Sequence, residues 1–242
     1  MGKKDYIYHY TSIETLALIL STRKIRFNSL GNVNDLNEAK TEDMADFGKY
    51  CLVSCWTKSA SESIPLWNMY TPEMRGVRIG LPKDIYMFDK SFDPNKKRYS
   101  PSSAPLPYPD FINVEYCDTS PIAIRQNDGS VRGDGLGMTK SRDWEFENEC
   151  RFRLFLVPYD NTTTRYANLS EFNSSWKTGE KIKNSKQTCD FLLQSDIIET
   201  MELMLGPGAG EPERIIVEAL AEKYGIGTKQ ISKSSLRIRK RR

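Results

Sequence analysis

Short runs of branched, aromatic and apolar residues recur along the chain and predict β-strands. The clearest pattern covers residues 145–157, where apolar and charged positions alternate and so predict two opposite faces of one strand. Phe146, Cys150 and Phe152 fall on its apolar face. Its charged face carries Glu145, Glu147, Glu149, Arg151 and Arg153. The other predicted strands are Asp5–Tyr10, Lys24–Phe27, Tyr50–Trp56, Gly76–Leu81, Phe111–Cys117, Glu199–Leu205 and Ser235–Arg239.

Helical spacing of apolar residues follows the first predicted strand, with Ile13, Leu16 and Leu20 on one face. Thr11 is the predicted N-cap of this helix, and Glu14 completes a capping box. Two further helices are predicted at Pro65–Tyr70 and Pro212–Tyr224. Strands and helices do not alternate regularly, so the pattern favours an α+β fold over a doubly wound sheet.

The length of the chain suits one domain over residues 1–242. A Pro- and Ser-rich stretch around residues 93–110 predicts an irregular loop insertion, and Arg237–Arg242 forms a basic C-terminal end. Lys and Arg number 35 against 32 Asp and Glu, and the resulting net charge of +3 is too mild to establish a nucleic-acid partner.

Two classes of protein are disfavoured by the sequence. No apolar run is long enough to cross a bilayer and no signal-peptide pattern precedes the first strand, so we expect a cytoplasmic protein without a membrane partner. The five cysteines are scattered without a CxxC pair, which argues against a structural zinc site.

The only histidine, His9, ends the first predicted strand just before a predicted helix. One interpretation is a half-buried strand residue whose ring nitrogens bind backbone groups. The other is a ligand contact, because two ring donors beside a helix N-terminus and the hydroxyls of Thr11 and Ser12 suit a hydroxyl or a phosphate. With one histidine, a zinc hydrolase or a phosphodiesterase with paired His motifs is excluded.

The row of Glu145, Glu147 and Glu149 also allows two interpretations. It is either a solvent-facing row paired with Arg151 and Arg153, or a set of carboxylates for catalysis. Neighbouring carboxylates repel, so at least one pKa should rise, and such a row needs a cation, an arginine or a cationic transition state. Oxocarbenium chemistry at a ribose is one reaction with that requirement.

An ordered set of short motifs resembles a bacterial family known as domain of unknown function 2971. The set runs through the whole chain: Tyr8-His9-Tyr10-Thr11-Ser12, Asn34-Asp35-x-x-Glu38, the strand around Ser54, Leu66-Trp67-x-x-Tyr70, Gly76-Val77, Trp144-x-x-Glu147-x-Glu149-x-Arg151 and Leu205-Gly206-Pro207. Members of that family look like components of phage-defence loci. The family name carries no activity.

A looser resemblance links the order of a His strand, a Ser strand, an aromatic helix and a Glu-x-Glu strand to ADP-ribosyltransferases. It implies a compact α+β fold in which helices flank a split mixed or antiparallel sheet that holds NAD in a cleft. By this resemblance Glu149 is the catalytic carboxylate, with Glu147 as the alternative. The implied contacts to NAD are His9, Thr11, Ser54, Tyr70 and Arg151, with Tyr70 as a nicotinamide platform. Aromatic residues at helical spacing such as Trp67 and Tyr70 are more often core residues.

Together these features lead to the hypothesis of an NAD-using ADP-ribosyltransferase or NAD glycohydrolase, as a toxin or phage-defence effector. Its acceptor would be a protein, a nucleic acid or water. Two alternatives stay open: a non-catalytic module that binds a nucleotide or a partner, and a nuclease that uses Asp35, Glu38 and Glu147 with magnesium.

Overall fold

A computed structural model describes residues 5–83, 87–89, 108–118, 122–127, 132–133, 135–158, 166–167 and 187–238. The α-helices within them are α1 (Ile13–Thr22), α2 (Ile64–Tyr70) and α3 (Glu211–Lys223). The strands are β1 (Tyr6–Thr11), β2 (Lys24–Ser29), β3 (Cys51–Thr57), β4 (Val77–Pro82), β5 (Asp110–Asn113), β6 (Glu115–Cys117), β7 (Thr139–Ser141), β8 (Glu149–Phe155), β9 (Val157–Pro158), β10 (Tyr166–Ala167), β11 (Thr188–Leu192), β12 (Glu202–Leu205) and β13 (Ile231–Lys233).

A nine-stranded sheet forms the centre of the fold. Seven of its strands follow the order β11-β2-β3-β1-β4-β12-β13. The other two lie off this path: β8 pairs with β3, and β5 pairs with β8. All of its strand pairs are antiparallel except β12 with β13. The fold is therefore mixed α+β with a mostly antiparallel sheet and few helices, as the sequence pattern predicts.

The sheet divides at β3. Strand β8 pairs with β3 along its whole length, from Cys51 to Thr57. On the other edge, β2 pairs with Leu52 and Val53, whereas β1 pairs only with Thr57. Because β1 and β2 take opposite ends of one edge, they diverge and leave a gap beside residues 54–56.

Continuous apolar strands and the inner faces of two helices build the main core. All six residues of β4 are buried. Leu16 and Leu20 from α1 and Val217 and Ala221 from α3 pack into the same hydrophobic cluster. These positions recur at helical spacing, so each helix covers the sheet with one apolar stripe.

The predicted strand at 145–157 is wrong in its first part. Residues Arg142–Glu147 form a 3-10 helix, and the strand begins only at Glu149. Asn148 separates the two elements with a φ of 44°, a left-handed conformation that asparagine tolerates better than most residues. Phe146 consequently leaves the predicted apolar face and is 40% exposed.

Four other predictions need correction. The strand predicted at Glu199–Leu205 begins only at Glu202, because Ile198–Thr200 form a 3-10 helix. Residues 111–117 form parts of two strands in different sheets, because β5 pairs with β8 whereas β6 pairs in parallel with β7. The last strand is β13, and residues 235–238 lie outside any strand. The cap of α1 is Ser12, whose hydroxyl accepts from the backbone N–H of Thr15 at 3.2 Å. The predicted insertion at 93–110 lies outside the described residues, apart from 108–110.

Candidate functional site

The gap between β1 and β2 opens into a cavity of about 520 Å³. Side chains from both strands and from β3 line it, and the side of α1 closes one end. Within the gap the Nδ1 of His9 lies 2.9 Å from the carbonyl oxygen of Cys55, where a strand neighbour would otherwise pair. A cavity of this volume is typical of sites for small molecules and nucleotides.

All seven residues predicted as site residues line this one cavity. They are His9, Thr11, Ser54, Tyr70, Glu147, Glu149 and Arg151. They come from β1, β3, α2, the 3-10 helix before β8, and β8 itself. The structure thus brings together residues that the sequence spreads over about 140 positions.

Glu147 and Glu149 are buried rather than solvent-facing, each with 4% of its surface exposed. The interpretation of the glutamate row as a solvated strand face is therefore wrong for both, whereas Glu145 is exposed. Because Asn148 turns the chain between them, the two carboxylates converge on one ammonium group, that of Lys140.

Glu149 is held by two cations. Its carboxylate accepts from Arg151 Nε at 2.6 Å and Nη2 at 2.9 Å, and from Lys140 Nζ at 3.1 Å. Its backbone N–H donates to the hydroxyl of Tyr116 at 2.7 Å. Burial alone would raise the pKa of Glu149, but the charge and hydrogen bonds of Arg151, the charge of Lys140 and the thiol of Cys55 outweigh burial and lower it to about 2. Glu149 is therefore ionised at neutral pH.

Glu147 has a different environment. It accepts from Lys140 Nζ at 2.5 Å and from the Tyr70 hydroxyl at 2.7 Å, and Asn34 in turn donates to that hydroxyl at 3.1 Å. Burial raises the pKa of Glu147 and the charge of Glu149 raises it further, and Lys140 and Tyr70 do not fully offset these effects. The two carboxylates thus differ in how readily they take up a proton.

Arg151 is fully buried and connects the glutamates to the turn after β2. Its Nη1 donates to a carboxylate oxygen of Glu38 and, at 3.0 Å, to the carbonyl oxygen of Gly137. Glu38 was predicted as a residue of the magnesium nuclease alternative, and its buried carboxylate lies against Arg151. Arg153 was predicted to share the pairing of the glutamates but lies elsewhere, against Leu136 and Asp110.

Lys140 is a member of the site that no sequence motif predicts. It lies on β7, outside the main sheet, and its side chain is 4% exposed. Its ammonium lies within 3.5 Å of carboxylate oxygens of Glu38, Glu147 and Glu149. The only sequence signal was indirect, because three close carboxylates need more positive charge than Arg151 alone provides.

His9 contributes an acceptor rather than two donors. A carbonyl oxygen can only accept, so the 2.9 Å contact with Cys55 assigns the proton to Nδ1 and leaves Nε2 as the acceptor. Burial lowers the pKa of His9, and the bond to Cys55 opposes this effect without cancelling it. The neutral ring packs 5.2 Å from Trp56, whose Nε1 donates to the hydroxyl of Ser54 at 3.0 Å.

Among the described residues, no group of three or more His, Cys, Asp or Glu side chains is placed to hold a metal ion. In the magnesium nuclease alternative, Glu38 and Glu147 would have to face a cation, but Lys140 and Arg151 already lie against their oxygens. No helix within the described part of the chain has the length and apolar character needed to cross a membrane.

Comparisons with protein-family models, with curated proteins and with solved structures found no match to this chain. The resemblances to domain of unknown function 2971 and to ADP-ribosyltransferases therefore stay predictions that rest on the ordered motifs.

Proposed function

We propose that the cavity is the active site of an NAD-consuming enzyme that breaks the bond between nicotinamide and ribose, as a toxin or phage-defence effector. The observation that carries the proposal is the pair Glu147 and Glu149, two buried carboxylates with opposite pKa shifts in one cavity. Carboxylates whose environments separate their pKa values are the usual sign of divided catalytic roles.

Glu149 suits the stabilisation of positive charge. When the C–N bond breaks, its electron pair leaves with nicotinamide and positive charge develops at the ribose carbon. A fixed, ionised carboxylate in a buried site lowers the energy of that charge. The two hydrogen bonds from Arg151 hold Glu149 in place and keep it ionised.

Glu147 suits the transfer of the proton. The ribose carbon forms its new bond to an oxygen or nitrogen of the acceptor, which loses a proton. A carboxylate with a raised pKa takes up that proton near neutral pH more readily than Glu149 does. Burial and the charge of Glu147 raise the pKa of Tyr70, so its hydroxyl stays protonated and keeps Glu147 in place.

The neutral His9 suits recognition of a ribose. Its Nε2 acceptor would receive a hydrogen bond from a sugar hydroxyl, and the hydroxyl of Thr11 lines the same cavity. The ring of Tyr70 would pack against nicotinamide. In this assignment Arg151 orients Glu149 and contacts no phosphate, because its donors already bind Glu38, Glu149 and Gly137.

One observation favours a second candidate, a module that binds a nucleotide without catalysis. Both carboxylate oxygens of Glu149 already accept hydrogen bonds from Arg151. A carboxylate that is paired in this way also suits a polar wall without a catalytic role, and the cavity would then bind its ligand unchanged.

Nicotinamide release from NAD by the purified protein distinguishes the two candidates. We expect release by the wild type, its loss in Glu149→Gln, and a weaker binding of NAD in His9→Ala. Glu145→Gln is the matched control, because it makes the same change on an exposed residue two positions from Glu147. A thermal unfolding curve of each variant verifies that it is folded.

Binding of NAD by calorimetry without release, in the presence of candidate protein and nucleic-acid acceptors, would favour the binding module. Release that persists in Glu149→Gln would refute the role of Glu149. If the protein neither binds NAD nor releases nicotinamide, the use of NAD is refuted altogether.

A further inference from the structure

Lys140 stands at the junction of the two glutamates of the proposed reaction. We propose that Lys140 is a positioning residue that holds Glu147 and Glu149 in their separate roles, Glu147 for the acceptor's proton and Glu149 for the charge at ribose. This inference rests on the function proposed above, and it names a residue that no motif in the sequence marked.

The contacts of the Lys140 ammonium are the first support. Its Nζ lies 2.5 Å from Glu147 Oε2, 3.1 Å from Glu149 Oε2 and 3.5 Å from Glu38 Oε1. The ring of Trp144 covers it at 4.7 Å from the ring centroid. Among the described residues, Lys140 is the cation that contacts both Glu147 and Glu149, since the contacts of Arg151 are with Glu149, Glu38 and Gly137.

The strand that carries Lys140 is the second support. Strands β6 and β7 form a parallel pair of three residues each, outside the main sheet, in which Tyr116 lies opposite Lys140. Both side chains reach Glu149: the Tyr116 hydroxyl accepts from its backbone N–H at 2.7 Å, and Lys140 binds its carboxylate. This small sheet therefore delivers two neighbouring side chains to one end of β8.

The charge balance shows what Lys140 does for Glu147. Three buried carboxylates meet two cations at this site, and Arg151 has its contacts with Glu38 and Glu149. Without Lys140, the hydroxyl of Tyr70 would be the remaining hydrogen-bond donor to the Glu147 carboxylate within the described part of the chain. The other titratable groups packed around the site, from the turn after β2 and from β3, α2, β6 and β8, are Glu38, Cys55, Tyr70, Tyr116, Glu149 and Arg151.

The expected consequence is a change in the pH profile. An opposite charge at hydrogen-bond distance lowers a carboxyl pKa by roughly 1–3 pH units. In Lys140→Met, the acid limb of the pH profile of nicotinamide release should therefore shift to higher pH by roughly that amount. The reason is that Glu147 must lose its proton before it can accept one from the acceptor. We expect kcat at neutral pH to fall and KM for NAD to change by less than about twofold.

Two further variants separate charge from packing. Lys140→Arg keeps the positive charge and should keep the acid limb within about half a pH unit of the wild type. Lys58→Met is the matched control, because Lys58 is exposed and the hydrogen bond that it makes to Asn148 comes from its backbone N–H, which the substitution keeps. Its profile should match the wild type. If Lys140→Met does not fold, Lys140→Gln replaces it as the neutral variant.

A second readout needs no activity. The side-chain carboxyl carbon of Glu147, assigned by comparison with Glu147→Gln, is titrated by NMR in the wild type and in the neutral Lys140 variant. A higher pKa of Glu147 in the variant supports the proposal even if NAD proves not to be the substrate, so the two proposals fail separately. An unchanged pKa, or an acid limb that does not move while only stability falls, overturns it.

Discussion

Replacing Arg151 by methionine tests the electrostatics of the site directly. Arg151 is fully buried and donates to Glu149 at 2.6 and 2.9 Å, to Glu38, and to the carbonyl oxygen of Gly137 at 3.0 Å. Its loss leaves two buried carboxylates without this partner, which typically costs about 3–5 kcal/mol. The lowering of the Glu149 pKa from 4.5 to about 2 corresponds to about 3 kcal/mol, which is the net effect of burial, Arg151, Lys140 and Cys55 together.

The assay is denaturant unfolding at pH 7, followed by tryptophan fluorescence, since Trp56 and Trp67 are buried. Arg142→Met is the matched control. The side chain of Arg142 is 64% exposed and its ion pair with Asp118 spans 3.9 Å, so its loss should cost less than about 0.5 kcal/mol.

The pH dependence of the cost follows from the sign of the shift. The pKa of Glu149 is lower in the folded protein than in the unfolded chain, so its stabilisation is present above pH 4.5 and is lost as the pH falls towards 2. The penalty of Arg151→Met should shrink over the same range. A penalty below about 1 kcal/mol at pH 7, or one that is no smaller at pH 2.5 than at pH 7, would refute the reasoning.

Three other predictions concern single residues. The pKa of Glu147 is raised, so its ionisation costs stability as the pH rises; the melting temperature of Glu147→Gln relative to wild type should therefore be higher at pH 8 than at pH 4. The pKa of His9 is lowered in the folded protein, so the stability that the neutral ring contributes is present above pH 6.5 and is lost as the pH falls below 6.5. His9→Gln should therefore flatten the pH dependence of the melting temperature between pH 7.5 and 5. NMR titration of the single imidazole gives the pKa of His9 directly. Gly206→Ala should cost about 1–3 kcal/mol in denaturant unfolding, because its Cβ would lie 2.2 Å from the carbonyl oxygen of Met74. Gly31→Ala, with a nearest contact of 3.3 Å, serves as its control and should cost much less.

The strands with continuous apolar character were predictable because a run of apolar residues is enough to indicate a strand that is buried on both faces. The prediction of Tyr50–Trp56 differs from β3 by one residue at each end, and that of Gly76–Leu81 differs from β4 in the same way. Both strands are almost entirely buried, so nearly every side chain has to be apolar or to find a polar partner.

The segment before β8 was not predictable from alternation. Residues 145–147 continue the pattern of the strand, yet the left-handed conformation of Asn148 ends a 3-10 helix at that position. Three residues are too few to show whether a pattern repeats every two residues, as in a strand, or every three, as in a 3-10 helix. Only the pairing of β3 with β8, which starts at Thr57 and Glu149, fixes where the strand begins.

The candidate site was predictable in part, and the missing part is non-local. The histidine, the hydroxyls and the glutamates stood out by type and spacing. Lys140 did not, since the chain has 35 Lys and Arg residues and nothing in the neighbourhood of Lys140 marks it. Its role arises from the parallel pairing of β6 with β7, and sequence periodicity carries no information on which strands pair.

The closed arrangement of Glu38, Lys140, Glu147, Glu149 and Arg151 has a consequence for how this chain can change over time. Four of the five members contact at least two others, and Glu147 contacts Lys140, so the effects of single substitutions will not add. A substitution that removes one charge leaves its opposite buried, and a second substitution that removes that opposite charge would restore the balance. In related chains, positions 38, 140, 147, 149 and 151 should therefore vary in matched pairs or not at all.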